Sequence, residues 1–432
     1  MAEDAHSTPA PPAAWRALGL LLAINLFNFI DRQILAAVEP SLRHDFFDPS
    51  DPAARAKTGS LATAFLVSYM VMAPVFGWLA DRMSRWTLVA ASVALWSLAS
   101  GWTGLAATFA TLMVTRMFVG IGEAGYGPSA PTIIADHFPI AKRGRALSLF
   151  YIAIPVGSAL GYVFGGWAAG HIGWRWAFYL VVPPGLILAG IAAFQRDPRN
   201  AAQAAASAAR KASIQDYLGL LKIPSYVMNT AAMTAMTFAI GGISFWIPGY
   251  IYEARGAEFM PPPMVPDSKL LAEINTNFGM ITVAGGLLGT IIGGWLGDRL
   301  QRRFGGAYFL VSGLAILLAF PATVAMLYVP FPYAWGCIFL AVFFLFFNTG
   351  PANTALANVT PGAVRSTAFA LNIFVIHALG DAISPPLIGW IAGQTSMKTA
   401  FLVVSIVMVV ASAFWLIGVR YLGRDTAAAA GS

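Results

Sequence analysis

The stretch GWLADRMSR occupies residues 77–85, and GWLGDRLQRR occupies residues 294–303. A Gly-Trp-Leu-small-Asp-Arg pattern thus returns after 217 residues, and such self-similarity is the first thing a sequence must be read for. Two more pairs lie at a similar spacing: GPSAP (127–131) matches GPANT (350–354), and RGRALSL (143–149) matches RSTAFAL (365–371). Three aligned matches at offsets of 217–223 residues mean that the chain is one unit used twice.

The composition says what that unit is made of. The chain has 432 residues, 58% hydrophobic and 10% charged, with a mean hydropathy of +0.69. Soluble domains carry about 25% charged residues. Apolar runs near the ~20 residues that cross a bilayer core fall at 16–40, 59–80, 87–107, 108–136, 146–168, 176–195, 226–252, 273–296, 307–328, 333–357, 366–392 and 399–421. The expectation is an all-α polytopic membrane protein with twelve transmembrane helices in two six-helix bundles related by a pseudo-two-fold axis. Parallel repeats of this kind are the major facilitator arrangement. The expected boundaries are a cytoplasmic tail (1–15), a first bundle (16–195), a cytoplasmic linker (196–225), a second bundle (226–421) and a cytoplasmic tail (422–432).

The net charge of +7 does not call for nucleic acid. With both termini cytoplasmic, the basic residues concentrate in the cytoplasmic segments, which is the positive-inside signal. The cluster KRGR (142–145) is placed to touch anionic lipid headgroups. Residues 1–14 are polar, acidic and Pro/Ala-rich, and the first apolar run is too long for a signal-peptide core. This tail and the alanine-rich end (426–430) are expected to be disordered. The loop EARGAEFMPPPMVPDSK (253–269) is expected outside, capping an opening. Cys337, the single cysteine, reads as a small buried hydrophobe. No G-x-x-x-x-G-K-[ST] loop, HExxH or Cys/His cluster occurs, so neither an ATP-driven pump, a metal site nor a cofactor is expected.

The duplicated motif predicts a cytoplasmic gate. Gly77 and Gly294 would let backbones approach, Asp81 and Asp298 would accept from a neighbouring helix N-terminus, and Arg82, Arg85 and Arg299 would pair across the halves. Gly157, Gly161 and Gly165 are four residues apart and make a packing face, as does GGLLGTIIGG (285–294).

Charges also lie inside the spans, where each costs about 2.5–3.5 kcal/mol on insertion scales. NFIDRQILAAVEP (28–40) holds Asp31 and Arg32, and the fourth span holds Arg116 and Glu123. Those last two are seven residues apart, hence on one helix face about 10 Å apart along the axis; Gly120 and Gly127 on that face leave room for a helix or a ligand. Chain direction places Asp31 and Arg116 at similar depth. The four charges sum to zero, so they can enter a bilayer as a paired network. Asp31 and Glu123 are the proton-coupling candidates, and Arg32 and Arg116 the headgroup candidates. The repeat maps Arg116 and Glu123 onto Phe339 and Phe346, so the second half offers an aromatic wall of Phe339, Phe343, Phe346 and Phe347 for an apolar tail. His377 and Asp381, at i,i+4, form a possible relay or a helix–helix hydrogen bond.

NFIDR, TRMFVGIGEAGYGPSAPTIIADHFP (115–139), FYIAIPVGSALGYVFGG (150–166) and LGDAISPPLIG (379–389) together resemble the Spinster branch of the major facilitator superfamily, over nearly the whole chain. The resemblance implies transport of lysolipids such as sphingosine-1-phosphate and lysophospholipids, proton coupling, and proton and headgroup roles for Asp31, Arg32, Arg116 and Glu123. The short tails and lysine-poor composition suggest a bacterial member in the inner membrane. The expected protein is therefore a monomeric secondary transporter of an amphipathic lipid, working by alternating access with protons as partner. The alternatives are an exporter of drugs or small organic anions, a lipid-modifying membrane enzyme using Glu123 or His377 as base, and a transporter-shaped sensor without flux.

Overall fold

The structure is a computed structural model that describes residues 12–138, 140–198, 214–259, 268–361 and 364–430. The expected terminal tail up to residue 11, most of the linker (199–213) and the proline-rich part of the long loop (260–267) lie outside the described residues. The fold is almost wholly helical. It separates into two compact units, one of residues 1–42 and 64–211, the other of 43–63 and 212–432.

The first unit contains most of α1 (Pro12–Phe46) and α2 (Ala54–Arg82), then α3 (Arg85–Gly104), α4 (Phe109–His137), α5 (Ile140–Tyr151), α6 (Ala153–His171), α7 (Trp174–Leu180) and α8 (Val182–Ala193). Its helices start where the chain supplies caps: the Ser84 hydroxyl accepts from the Thr87 amide, and that of Thr108 from the Thr111 amide, each satisfying an orphan donor. Buried polar ties join its helices. Asn25 Nδ2 donates to the Phe150 carbonyl (3.2 Å), and the Tyr126 hydroxyl to that of Leu21 (2.7 Å), pinning α1 against α4 and α5.

The second unit contains α9 (Ile214–Leu220), α10 (Pro224–Arg255), α11 (Ser268–Gln301), α12 (Ala307–Ala325), α13 (Ala334–Phe347), α14 (Thr349–Asn358), α15 (Arg365–Ile376), α16 (Ser384–Gln394) and α17 (Met397–Ala430). A single π turn, His377–Asp381, joins α15 to α16, and within it Gly380 leaves helical geometry (φ −103°, ψ −105°). Gly289 and Gly293 of α11 ride on the carbonyls of Phe343 and Phe347 in α13, where any Cβ would collide. That close approach is what the small-residue face of the eighth span is for.

Ten segments are long and apolar enough to cross a membrane. The helices α3 and α4, of 20 and 29 residues, complete twelve among the described residues; α4 carries Arg116 and Glu123, which lower its apolar character. Two expectations need correction. The alanine-rich end is not disordered: α17 continues through it to Ala430, as alanine's helix propensity favours. Cys337 is half-exposed rather than buried. The unit boundary does not follow the chain, because 43–63 groups with the second unit. There Glu253 pairs with both Arg43 and Arg55 (2.9 Å to Arg55), and the Thr63 hydroxyl donates to the Ala382 carbonyl at 2.5 Å.

Candidate functional site

The site in the first unit is built on α1, α2, α3 and α4. Gly157 and Gly161 of α6 face the Leu26 and Ile30 carbonyls so closely that a Cβ would sit 2.7 and 2.6 Å from those oxygens. The glycine stripe is thus a packing face that fixes the rotation of α1, and with it the direction of Asp31 and Arg32. A Cβ at Gly120 would collide with the Phe65 carbonyl and the Ser68 hydroxyl, and one at Gly127 would meet the Tyr69 hydroxyl at 2.6 Å. The room those glycines leave in α4 is therefore filled by α2.

The four charges divide into two pairs. Arg32 donates from Nε to Glu123 Oε2 at 2.7 Å, with Nη2 at 2.6 Å from the same oxygen. Its guanidinium is 5.1, 4.9 and 5.7 Å from the ring centroids of Phe29, Phe65 and Tyr69. Asp31 Oδ2 accepts from the Ser100 hydroxyl at 2.5 Å and lies 3.8 Å from Arg116 Nη2, too far for a hydrogen bond. The Phe178 ring lies 5.8 Å from the Arg116 guanidinium. Asp31, Arg116 and Glu123 are 2%, 2% and 1% exposed; Arg32, with 24% of its side chain exposed, is the member that solvent or a ligand reaches. Asp31 Oδ1 and Arg116 Nε have no hydrogen-bond partner among the described residues. Orphaned buried polar atoms of this kind mark unused binding capacity.

The residues that complete this network carried no signal in the sequence. Ser100 sits in WSLASGW and Tyr69 in LVSYM, where each reads as ordinary packing. Only Phe29, three residues before Arg32 and hence on its helix face, could have been found from spacing.

In the second unit the expected tail wall is corrected in part. Phe347 is buried in a core with Val311 and Ala315, and Phe343 packs against that core. The glycine stripe of α11 explains this, since it draws that face of α13 inward. Phe339 and Phe346 remain half-buried. His377 Nδ1 lies 2.9 and 3.1 Å from the two Asp381 oxygens, so the i,i+4 pair is made, at the break in the eleventh span. A Cβ on Gly241 would press on Asp381.

The gate motif takes a different form from the one expected. Arg85 is committed inside its own unit, to Asp197 (Nη2–Oδ1 2.7 Å) and Asp136 (2.7 Å). Arg82 and Arg299 lie over Trp78 and Trp295 at 4.2 and 5.3 Å, the same i,i+4 stacking in both copies. Asp298 accepts from the Tyr308 hydroxyl at 2.8 Å, a side-chain donor and not a helix terminus. Gly77 and Gly294 have open space where a Cβ would stand, although a Cβ on Gly350 would come within 3.2 Å of the Gly294 Cα. Among the described residues no three His, Cys, Asp or Glu side chains gather as a metal site requires.

Comparison with known proteins decides the family. Residues 21–385 match the model of the Major Facilitator Superfamily. The chain belongs to that superfamily. It also belongs to its Spinster branch: it is 36% identical to the bovine Protein spinster homolog 1, with 87% of this chain and 72% of that protein aligned. It is 34% identical to Protein spinster of Drosophila melanogaster, over 91% of this chain and 66% of the relative. A third relative, the Sphingosine-1-phosphate transporter SPNS2 of Xenopus tropicalis, is 34% identical over 92% and 78%. Among solved structures, a bacterial homolog of the human lysosomal transporter Spinster superposes with a TM-score of 0.80 at 20% identity, over 96% of this chain and 99% of that one. A D-xylose–proton symporter superposes with a TM-score of 0.69 at 17% identity, over 92% and 96%; at these identities the likeness is one of fold. The chain is an integral membrane transporter of the major facilitator type, not an enzyme.

Proposed function

We propose that the protein moves an amphipathic lysolipid with an anionic phosphate headgroup across the membrane, coupled to protons, by exposing its buried charge network alternately to the two sides. The observation that carries this reading is the contact between Arg32 and Glu123. Arg32 is the partly exposed member of the network, and its partner carboxylate is buried. A phosphate arriving at Arg32 competes with Glu123 for the same guanidinium, and arginine suits phosphate through two parallel donors. A buried carboxylate that loses its cation is neutralised by a proton, because an unpaired buried charge is expensive. Headgroup binding and proton uptake at Glu123 therefore go together.

Asp31 and Arg116 form the looser pair behind it. At 3.8 Å their attraction holds without a hydrogen bond, and each keeps an unused polar atom for a proton or a phosphate oxygen. Asp31 is the second proton carrier and Arg116 the second headgroup ligand. The half-buried Phe339 and Phe346 are the residues of the second unit assigned to the hydrocarbon tail, and His377 with Asp381 the relay there. The relative that transports sphingosine-1-phosphate supports the choice of cargo class. The proposed setting is a bacterial inner membrane, with the protein monomeric and both termini cytoplasmic.

The test is reconstitution in vesicles with an imposed pH gradient, supplying sphingosine-1-phosphate, a lysophospholipid and a neutral lysolipid analogue. Proton-dependent movement of the phosphate-bearing lipids that Glu123→Gln uncouples supports the reading. Movement indifferent to the gradient, or equal movement of the neutral analogue, overturns it.

A further inference from the structure

In the second unit, the loop between α11 and α12, which follows the second copy of the duplicated motif, meets the stretch 416–424 of α17. A cavity of about 710 Å³ opens there, lined by Phe304, Leu416, Ile417, Gly423, Arg420 and Arg424 among others. The concavity exists because backbone meets backbone: a Cβ on Gly305 would stand 3.2 Å from the Gly423 Cα, and one on Gly306 would stand 2.7 Å from the Val419 carbonyl.

The chemistry of the lining is divided by depth. Leu416 and Ile417 belong to the apolar span of α17, whereas Arg420 and Arg424 follow one and two turns later, at its polar end. Both guanidiniums lie over one ring, that of Tyr421, at 4.6 and 5.5 Å from its centroid. Like charges at i,i+4 repel, so holding two cations on one ring is stabilised by an anion between them. Arg424 donates from Nε (3.0 Å) and Nη2 to Asp425 Oδ1 while the other Asp425 oxygen accepts from the Ser225 amide; its side chain is still 64% exposed, and no carboxylate reaches Arg420 among the described residues. Arg302 and Arg303 add positive charge on the adjoining loop. A cation pair at the membrane surface, directly above an apolar notch cut into the same helix, matches a phosphate joined to hydrocarbon.

We infer that this notch is a binding site for an anionic glycerophospholipid of the surrounding bilayer, its phosphate on Arg420 and Arg424 and an acyl chain along Leu416 and Ile417. Basic pockets between transmembrane helices hold acidic headgroups in this manner, at about 1 kcal/mol per basic residue. The site is separate from the proposed cargo site, and the inference does not depend on that function.

The test is native mass spectrometry of the full chain released from micelles containing phosphatidylglycerol or phosphatidylcholine. The wild type should retain phosphatidylglycerol in preference to phosphatidylcholine, and Arg420→Gln/Arg424→Gln should cut the retained phosphatidylglycerol by roughly 30-fold in affinity. The charge-matched control Arg16→Gln/Lys222→Gln, two exposed basic residues, should leave it unchanged. Equal losses from both double variants, or displacement by inorganic phosphate, would overturn the site. A second measurement requires no variant: phosphatidylglycerol with a photoreactive acyl chain should label the wild-type peptide spanning 416–424, and labelling confined to other helices would overturn it.

Discussion

The first unit keeps Arg116 and Glu123 in its fourth span, and the second unit has Phe339 and Phe346 at the matching positions of its tenth. Both units place a glycine stripe close to these residues, on different spans. In the first, glycines of α6 let α1 press close and aim Asp31 and Arg32; in the second, glycines of α11 draw α13 inward and bury Phe347. The two glycine stripes lie in the fifth and eighth spans, which the repeat does not pair, so close packing is set separately in each unit and the side chains beside it differ. One copy holds charge in apolar surroundings, where pairing is obligatory; the other holds aromatic surface, where only volume matters. The two copies should consequently respond to substitution in different ways.

The largest difference is expected at the Arg32–Glu123 pair. Arg32→Ala leaves Glu123 buried without its cation and should destabilise by about 3 kcal/mol, read as a fall in the thermal unfolding midpoint in detergent, with transport abolished. Adding Glu123→Gln to Arg32→Ala should restore most of the stability but not the coupling. If single and double variants melt alike, the pair is not a unit and the contrast between the copies fails. Phe347→Ala, in the second unit, should cost a comparable ~3 kcal/mol through the cavity it leaves. Yet the surviving fraction should still couple protons to cargo; loss of coupling there would give the aromatic side a role in the electrostatics.

Where the copies agree, the effects should agree and be smaller. Arg82→Ala and Arg299→Ala each remove an exposed guanidinium from a tryptophan face and should cost about 0.5–1 kcal/mol, equally in both units by the same melting assay. A clear inequality would show that one of the two motif arginines has a further partner. The smallest effect lies in the 43–63 segment. Hydrogen bonds from the Lys57 ammonium and the Ala53 amide hold the Asp51 carboxyl below the usual carboxylate range. A carboxyl lowered by folding stabilises the protein at neutral pH and loses that contribution as pH falls below about 4. Asp51→Asn should flatten that acid-side slope of the melting midpoint and leave the rest of the profile in place.

Much of the fold was legible because membrane helices obey a strict rule: every backbone group must be satisfied within the segment, so apolar runs of the right length are spans. The duplicated GWLADRMSR and GWLGDRLQRR then gave the two units. The segment 43–63 was illegible, since its allegiance rests on Glu253 meeting Arg43 and Arg55 from 210 and 198 residues away. At the site, charge balance and helical depth predicted that Asp31 and Arg116 could meet, and they lie 3.8 Å apart. The Arg32–Glu123 contact was missed because it depends on how α1 is rotated, which the α6 glycines set. Phe343 and Phe347 looked like cavity wall because hydrophobicity does not say which face of a helix turns inward. Arg85 looked like a cross-half latch because its two carboxylates, Asp136 and Asp197, are 51 and 112 residues away in sequence.

Competition between a phosphate and a carboxylate for one guanidinium predicts that cargo and proton bind together, and a weakly buffered solution of the purified protein with a pH dye reads this directly. On titration with sphingosine-1-phosphate, the wild type should withdraw protons from solution, whereas Glu123→Gln should bind without doing so. Binding by the wild type with no proton uptake, or the same uptake by the variant, would contradict it.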